Sequence, residues 1–240
     1  MPSFSPIPSQ RPLSVIALTG CDGSGKSTLA AELVTRLREQ RRTEPLYLGQ
    51  SSGRIGEWIA TLPLVGPSFN RYLVAKSERV HAQPGSPPGS VTALAIYLLS
   101  RWRAQKFRRM LAMCRRGVLV VTDRYPQAEM PGFLFDGPQL AKTQGGNWWV
   151  RALRAREQKL YEWMAGAVPM LVIRLNVDAE TAHARKPDHK LTTLREKTAA
   201  WPHLKFNGAE ILELDAREEA GTILSSSLRA VRAALQAWHA

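Results

Sequence analysis

Gly20, Gly23, Gly25, Lys26 and Ser27 carry the strongest chemical signal in this chain, because Gly20 to Ser27 fits the spacing G-x-x-x-x-G-K-[ST]. Glycines at those places let the backbone curl so that successive N–H groups point at phosphate oxygens. The Lys26 ammonium can reach β- and γ-phosphates, and the Ser27 hydroxyl can ligate Mg²⁺. Asp22, Ser24 and Thr28 complete the stretch that would hold the triphosphate tail of ATP. ATP and Mg²⁺ are therefore the cofactors the stretch implies. A second group, Asp123-Arg124-Tyr125, closes an apolar run that starts at Gly117. An aspartate at the end of a buried strand can hold Mg²⁺ or accept a proton from an attacking oxygen, and an adjacent arginine can fork onto a phosphate.

Both groups need rigid elements behind them. Residues 13–18 are apolar, β-branched and few enough for a buried strand, and residues 29–37 place apolar side chains at helical spacing. The glycine-rich stretch thus falls between a strand and a helix, which is the context the motif requires. The helix would begin with unpaired N–H groups facing the same anion. Residues 45–49 read as a second strand, and the glycines and prolines of 83–90 as a loop. A weak helical pattern covers 58–64 and stops at Pro63. Residues 91–116 give a long helix with an apolar stripe from Leu94 to Cys114, and with Arg101, Arg103, Lys106, Arg108, Arg109, Arg115 and Arg116 on it. Most of these cations read as a solvated face; one or two would meet an anionic ligand.

Residues 126–146 form an irregular stretch, and a helix follows over 148–165. Residues 169–177 are another continuous apolar strand, after which Asp178 can cap a helix at 179–184. Clustered charge at Arg185 to Lys190 interrupts that helix, and the helical pattern resumes over 194–201. Residues 211–215 make the last strand, and 220–238 a closing amphipathic helix. Ligands in open parallel sheets bind beyond the carboxyl ends of the strands, so Asp123 and Arg124 should emerge on the edge where the glycine-rich loop lies. Strands alternating with helices predict an α/β fold, a mostly parallel sheet covered on both faces.

Bulk properties agree. A chain of 240 residues with 44% hydrophobic and 22% charged residues suits one α/β domain with a real core. We read 1–12 as a disordered tail, not a signal peptide, and 13–240 as one domain. The net charge of +13 suits a polyanionic partner of some kind. No apolar run is long enough to span a membrane. Cys21 and Cys114 read as thiols in a reducing cytoplasm. His81, His183, His189, His203 and His239 show no metal-ligand spacing.

On these motifs the chain resembles the P-loop kinases of the thymidylate kinase-like group. The phosphate loop from Gly20 to Thr28 with Asp22 in place, the strand end Val121-Thr122-Asp123-Arg124-Tyr125, and Arg103-Ala104-Gln105 carry the likeness. Gly53-Arg54-Ile55-Gly56-Glu57 is similar to the loop after that group's second strand, and Leu175-Asn176-Val177 with Arg185-Lys186 to the strand leading into its lid. The resemblance implies a P-loop NTPase three-layer sandwich with a five-stranded parallel sheet, an insert at about 126–147 and a lid at about 183–198. It also implies transfer of the γ-phosphate of ATP to a small-molecule acceptor. Lys26, Asp123, Arg124 and Arg185 would be catalytic, with Ser27 and Asp123 serving the metal. Asp22 would touch a sugar hydroxyl of the acceptor, Arg103 would face its base, and Arg124 would clamp its phosphate, with Arg54 and Tyr125 beside them.

The group's usual Glu-Pro-Gly is replaced here by Gly49-Gln50-Ser51-Ser52, and Pro126-Gln127-Ala128-Glu129 follows Tyr125. Both places shape the acceptor pocket. A nucleotide is the expected acceptor, with a nucleoside or sugar left open. A homodimer is also left open. A nucleic-acid partner is not expected, since Asp123 is followed by Arg124 rather than by a second acid. Two other readings are a P-loop ATPase acting on nucleic acid and a nucleotide-binding interaction module without turnover.

Overall fold

A computed structural model describes residues 12–49, 88–132, 136–142, 145–187 and 190–239. All but residue 12 of the expected tail, the loop with Arg54, the weak helix at 58–64 and most of the 83–90 loop lie outside the described residues. The chain divides into two compact units. One comprises Met1–Leu46, Met110–Asp123 and Gly166–Ala240, and the other Tyr47–Arg109 and Arg124–Ala165.

The first unit is built on five strands: β1 (Leu13–Gly20), β2 (Thr43–Tyr47), β3 (Leu119–Asp123), β4 (Pro169–Asn176) and β5 (Ile211–Asp215). They form a five-stranded parallel sheet with helices on both faces, in the order β2-β3-β1-β4-β5. β1 pairs with β3 in the register Leu18 to Asp123, and with β4 in the register Gly20 to Leu175. The chain leaves β1 toward the β2 side and leaves β3 toward the β4 side. The carboxyl ends of β1 and β3 therefore flank the point where the connections diverge, which is where open α/β sheets bind ligands.

Alternation along β1 buries both faces of the sheet. Ile16 and Leu18 pack with Leu29, Leu33 and Leu37 of helix α1 (Lys26–Arg38) in one apolar cluster. Val15 and Ala17 point the other way and are equally inaccessible. This two-sided burial explains why the strands read as continuous apolar runs. The same cluster takes in Ile223, Val231 and Ala234 of the closing helix, Ala220–His239.

In chain order, the helices between are α2 (Ser90–Arg115), α3 (Trp148–Ala165), α4 (Ala179–Arg185) and α5 (Leu191–Ala200). Asp178 caps α4 by accepting from the Thr181 N–H at 2.7 Å, as the sequence predicts. The second unit has its own apolar centre, where Ala93, Ile96 and Leu99 of α2 meet Leu140, Val150 and Leu153. Among the described residues no helix is long and apolar enough to cross a membrane.

Candidate functional site

The phosphate loop owes its shape to backbone that only glycine adopts cheaply. Gly23 has φ +89°, and a Cβ there would lie 2.8 Å from the Ala182 carbonyl oxygen. Gly25 has φ 87° and occupies the N-cap of α1, with no side chain capping the helix and no acid in its first turn. The first-turn N–H groups thus keep the anion-binding character of a helix start.

Lys26 is 6% exposed, low for a lysine, and its Nζ donates to the Cys21 carbonyl at 2.6 Å and to Ser24 Oγ at 3.4 Å. The charge is therefore held over the loop it would serve. Cys21, in the same loop, is buried and free; burial pushes its thiol pKa up, against the pull of Lys26. A thiol in that state is a poor nucleophile.

Ser27 Oγ donates to Asp123 Oδ2 at 2.7 Å. The register of β1 with β3 brings these two residues, 96 positions apart, together. The other Asp123 oxygen, Oδ1, is buried and has no hydrogen-bond partner among the described residues. A hydroxyl and a carboxylate with one unsatisfied oxygen are hard donors that fit Mg²⁺, an ion that keeps most of its waters and takes one or two protein oxygens.

Two cations of the 183–198 stretch meet the loop. Arg185 donates to the carbonyls of Gly23 at 3.4 Å and Ala216 at 3.0 Å. Lys197 of α5 donates to Asp22 Oδ2 at 2.6 Å. Lys197 escaped sequence reasoning; its one signal was its place inside the expected lid. Beside Cys21 opens a cavity of about 590 Å³, also lined by Arg174, Asn176, Asp178, Trp201 and Arg217, at the carboxyl ends of β4 and β5.

The second unit holds a different constellation. Arg103 is 1% exposed; its guanidinium donates to Asp136 Oδ1 at 2.8 Å, to the Asp136 carbonyl at 3.2 Å and to the Tyr161 hydroxyl at 3.5 Å. Burial alone would lower the Arg103 pKa, but Asp136 and Tyr161 outweigh it and raise it. Asp136 Oδ2 lies 3.9 Å from Arg124, whose backbone is left-handed at φ 73°. Tyr125 is buried, its ring edge-on to Phe107 at 5.7 Å.

Glu157 is fully buried on the stripe Leu153, Glu157, Tyr161 and Met164 of α3. It accepts from Ser100 Oγ at 2.6 Å and from the Leu140 N–H at 2.7 Å. Burial raises its pKa, partly offset by those hydrogen bonds. Lys106 donates to the Gly49 carbonyl at 2.7 Å and lies over the Trp102 ring at 3.9 Å. Burial, then the Arg103 charge, lower its pKa to about 7, with Asp136 pulling the other way.

In the first unit the structure thus brings together Gly20, Asp22, Gly23, Ser24, Gly25, Lys26, Ser27, Thr28, Asp123 and Arg185. In the second it brings Arg103 and Arg124 to one carboxylate. Sequence reasoning missed Asp136, which sits in a turn-like Phe-Asp-Gly-Pro, and Glu157, whose place on an apolar stripe was a usable signal.

No family model matches the chain. It is 62% identical over 224 residues to YghS of Escherichia coli (strain K12), an uncharacterized ATP-binding protein, covering 93% of this chain and 94% of that protein. It is 41% identical over 217 residues to YghR of the same strain, also an uncharacterized ATP-binding protein, covering 90% and 86%. Among solved structures, deoxyadenosine kinase from M. mycoides with bound dCTP superposes with a TM-score of 0.52 at 16% identity, covering 91% of this chain and 99% of that one. At that identity the likeness is one of fold.

Proposed function

This chain belongs to the family of ATP-binding proteins that contains YghS and YghR, and from that premise we propose that it is an ATP-dependent phosphotransferase built on the P-loop kinase fold. The observation that carries the reading is the Ser27–Asp123 contact at 2.7 Å beside the glycine-rich loop. It puts a hydroxyl, a carboxylate, a lysine and a helix start around one place for a Mg²⁺-bound triphosphate.

In this reading Gly20 to Thr28 wrap the phosphates with main-chain N–H groups. Lys26 leaves its loop carbonyl for the β- and γ-oxygens. Ser27 and Asp123 hold Mg²⁺, which when bound neutralises charge on the phosphates. Arg185 fastens the loop to the exit of β5 and lies near enough to Gly23 to add positive charge there. The cavity beside Cys21 takes the nucleoside of the donor. Asp22, whose partner is Lys197, is the loop's contribution to the acceptor.

Asp22 and the Asp-Arg-Tyr strand end support placing the chain near the thymidylate kinase-like group. Arg124, with Arg103 behind Asp136, is the recognition element of the second unit. The acceptor is a small molecule with a phosphorylatable group.

The test has two stages. Calorimetry with Mg²⁺ and ATP should show binding, and Lys26→Ala should lower transfer by on the order of 10³-fold or more. An acceptor screen over nucleoside monophosphates, nucleosides and sugars, read by mass spectrometry, should then find one class gaining a single phosphoryl group. Absence of Mg²⁺·ATP binding would sink the proposal.

A further inference from the structure

We propose that the acceptor carries no phosphate of its own: it is a neutral hydroxyl compound, a nucleoside or a sugar, recognised by the second unit around Arg124 and Asp136. This inference rests on the kinase reading above and narrows its acceptor.

Charge around Asp136 sets the class of acceptor. Two guanidinium groups facing one place would ordinarily mark a phosphate site. Here that place already holds a carboxylate. Asp136 Oδ1 takes Arg103 at 2.8 Å, and Asp136 Oδ2 takes Arg124 at 3.9 Å. Arg103 is 1% exposed, so it has no face for a solute.

Asp136 is not loosely placed. Its carbonyl accepts from the Gln127 N–H at 3.1 Å as well as from Arg103. Gln127 is itself buried and bonded through both ends of its side chain to Met130. Glu157 adds a second buried carboxylate to the unit, fixed by Ser100 and the Leu140 N–H. Asp136 thus already answers both guanidinium groups.

A phosphate monoester brings nearly two negative charges at neutral pH. It would meet Asp136 as a like charge at the position it needs. A neutral polyol or nucleoside meets no such conflict, because a carboxylate and a guanidinium side by side offer both acceptors and donors to hydroxyl and amide groups. In the transfer the acceptor hydroxyl oxygen bonds to the γ-phosphorus while the bond from that phosphorus to the bridging oxygen breaks. ADP leaves with the electron pair, and the hydroxyl proton passes to water.

The experiment compares matched pairs on the full chain with Mg²⁺ and ATP: thymidine against thymidine monophosphate, deoxyadenosine against deoxyadenosine monophosphate, and ribose against ribose 5-phosphate. We expect the unphosphorylated member of the preferred pair to have a kcat/KM on the order of 100-fold higher. Equal or faster turnover of the monophosphate overturns the inference and leaves the kinase reading standing. ATP binding without transfer to either series overturns both.

Asp136→Asn supplies a readout that needs no turnover. By calorimetry it should shift the binding ratio of monophosphate to nucleoside about tenfold toward the monophosphate. An unchanged ratio overturns the inference. Should that variant fail to fold, the matched pairs on the unaltered chain decide alone.

Discussion

Replacing Lys197 with Met would keep the Asp22 carboxylate in the phosphate loop but remove the ammonium that α5 brings to it. The two side chains are 12% and 15% exposed and meet at 2.6 Å, so the pair is far from a surface contact. At an effective dielectric of about 20 the gross attraction at that distance is roughly 6 kcal/mol, most of it offset by withdrawing both charges from water. Exposed pairs are worth about 0–1 kcal/mol, and breaking a fully buried one costs about 3–5 kcal/mol. The covered but not sealed position of this pair places the loss for Lys197→Met at about 2–3 kcal/mol.

Asp22→Asn should cost a similar amount. The double variant should cost clearly less than the sum, with a coupling of about 1.5–2 kcal/mol. Urea unfolding of the four proteins at neutral pH and low salt measures it. The same lysine should matter to the ligand: Lys197→Met should weaken Mg²⁺·ATP about tenfold, because Asp22 then repels the triphosphate, and adding Asp22→Asn should restore it. A coupling below about 0.5 kcal/mol would refute the idea that this ion pair fastens α5 to the loop.

Three further outcomes follow from the same structure. Gly23→Ala forces a Cβ to within 2.8 Å of the Ala182 carbonyl at φ +89°, and should lower stability by about 1–3 kcal/mol in a thermal melt. Glu157→Ala removes the buried carboxylate that accepts from Ser100 Oγ and the Leu140 N–H; a loss of about 2–4 kcal/mol by chemical denaturation is expected, with unchanged stability counting against the network. Lys106, with its pKa lowered to about 7 from 10.5, binds fewer protons folded than unfolded between those values. Stability relative to Lys106→Met should therefore climb as pH rises from about 7 toward 10.5, and a flat difference across that window would contradict the shift.

The sheet was legible because its strands are buried on both faces. Residues 13–18, 117–122 and 169–177 are predominantly apolar runs without helical spacing, and the structure places β1, β3 and β4 on them. The long basic helix at 91–116 and the Asp178 cap were legible for equally local reasons: an apolar stripe, and an aspartate set just before a helix.

The charge partners were not legible. Lys197 meets Asp22 across 175 positions, and Asp136 meets Arg103 across 33. Neither pairing leaves a periodicity, because an ion pair closed by tertiary contact imposes no pattern on its neighbours. Arg103 was expected to face a ligand because Arg103-Ala104-Gln105 resembles the substrate-facing helix of the thymidylate kinase-like group. The structure buries it because Asp136 and Tyr161 meet most of its hydrogen-bonding and charge demand there. The same rule explains why Glu157 hid among basic residues on α3.

Arg124 follows Asp123 at the end of β3 with a φ of 73°. An alanine scan will therefore misjudge this position. Alanine deletes the cation yet inherits the torsional penalty, on the order of 1 kcal/mol, that any side chain incurs there. Glycine deletes the cation and releases the penalty. Arg124→Gly should accordingly outlast Arg124→Ala in a stability assay, and the gap between them isolates the main-chain contribution from whatever the guanidinium does for the ligand.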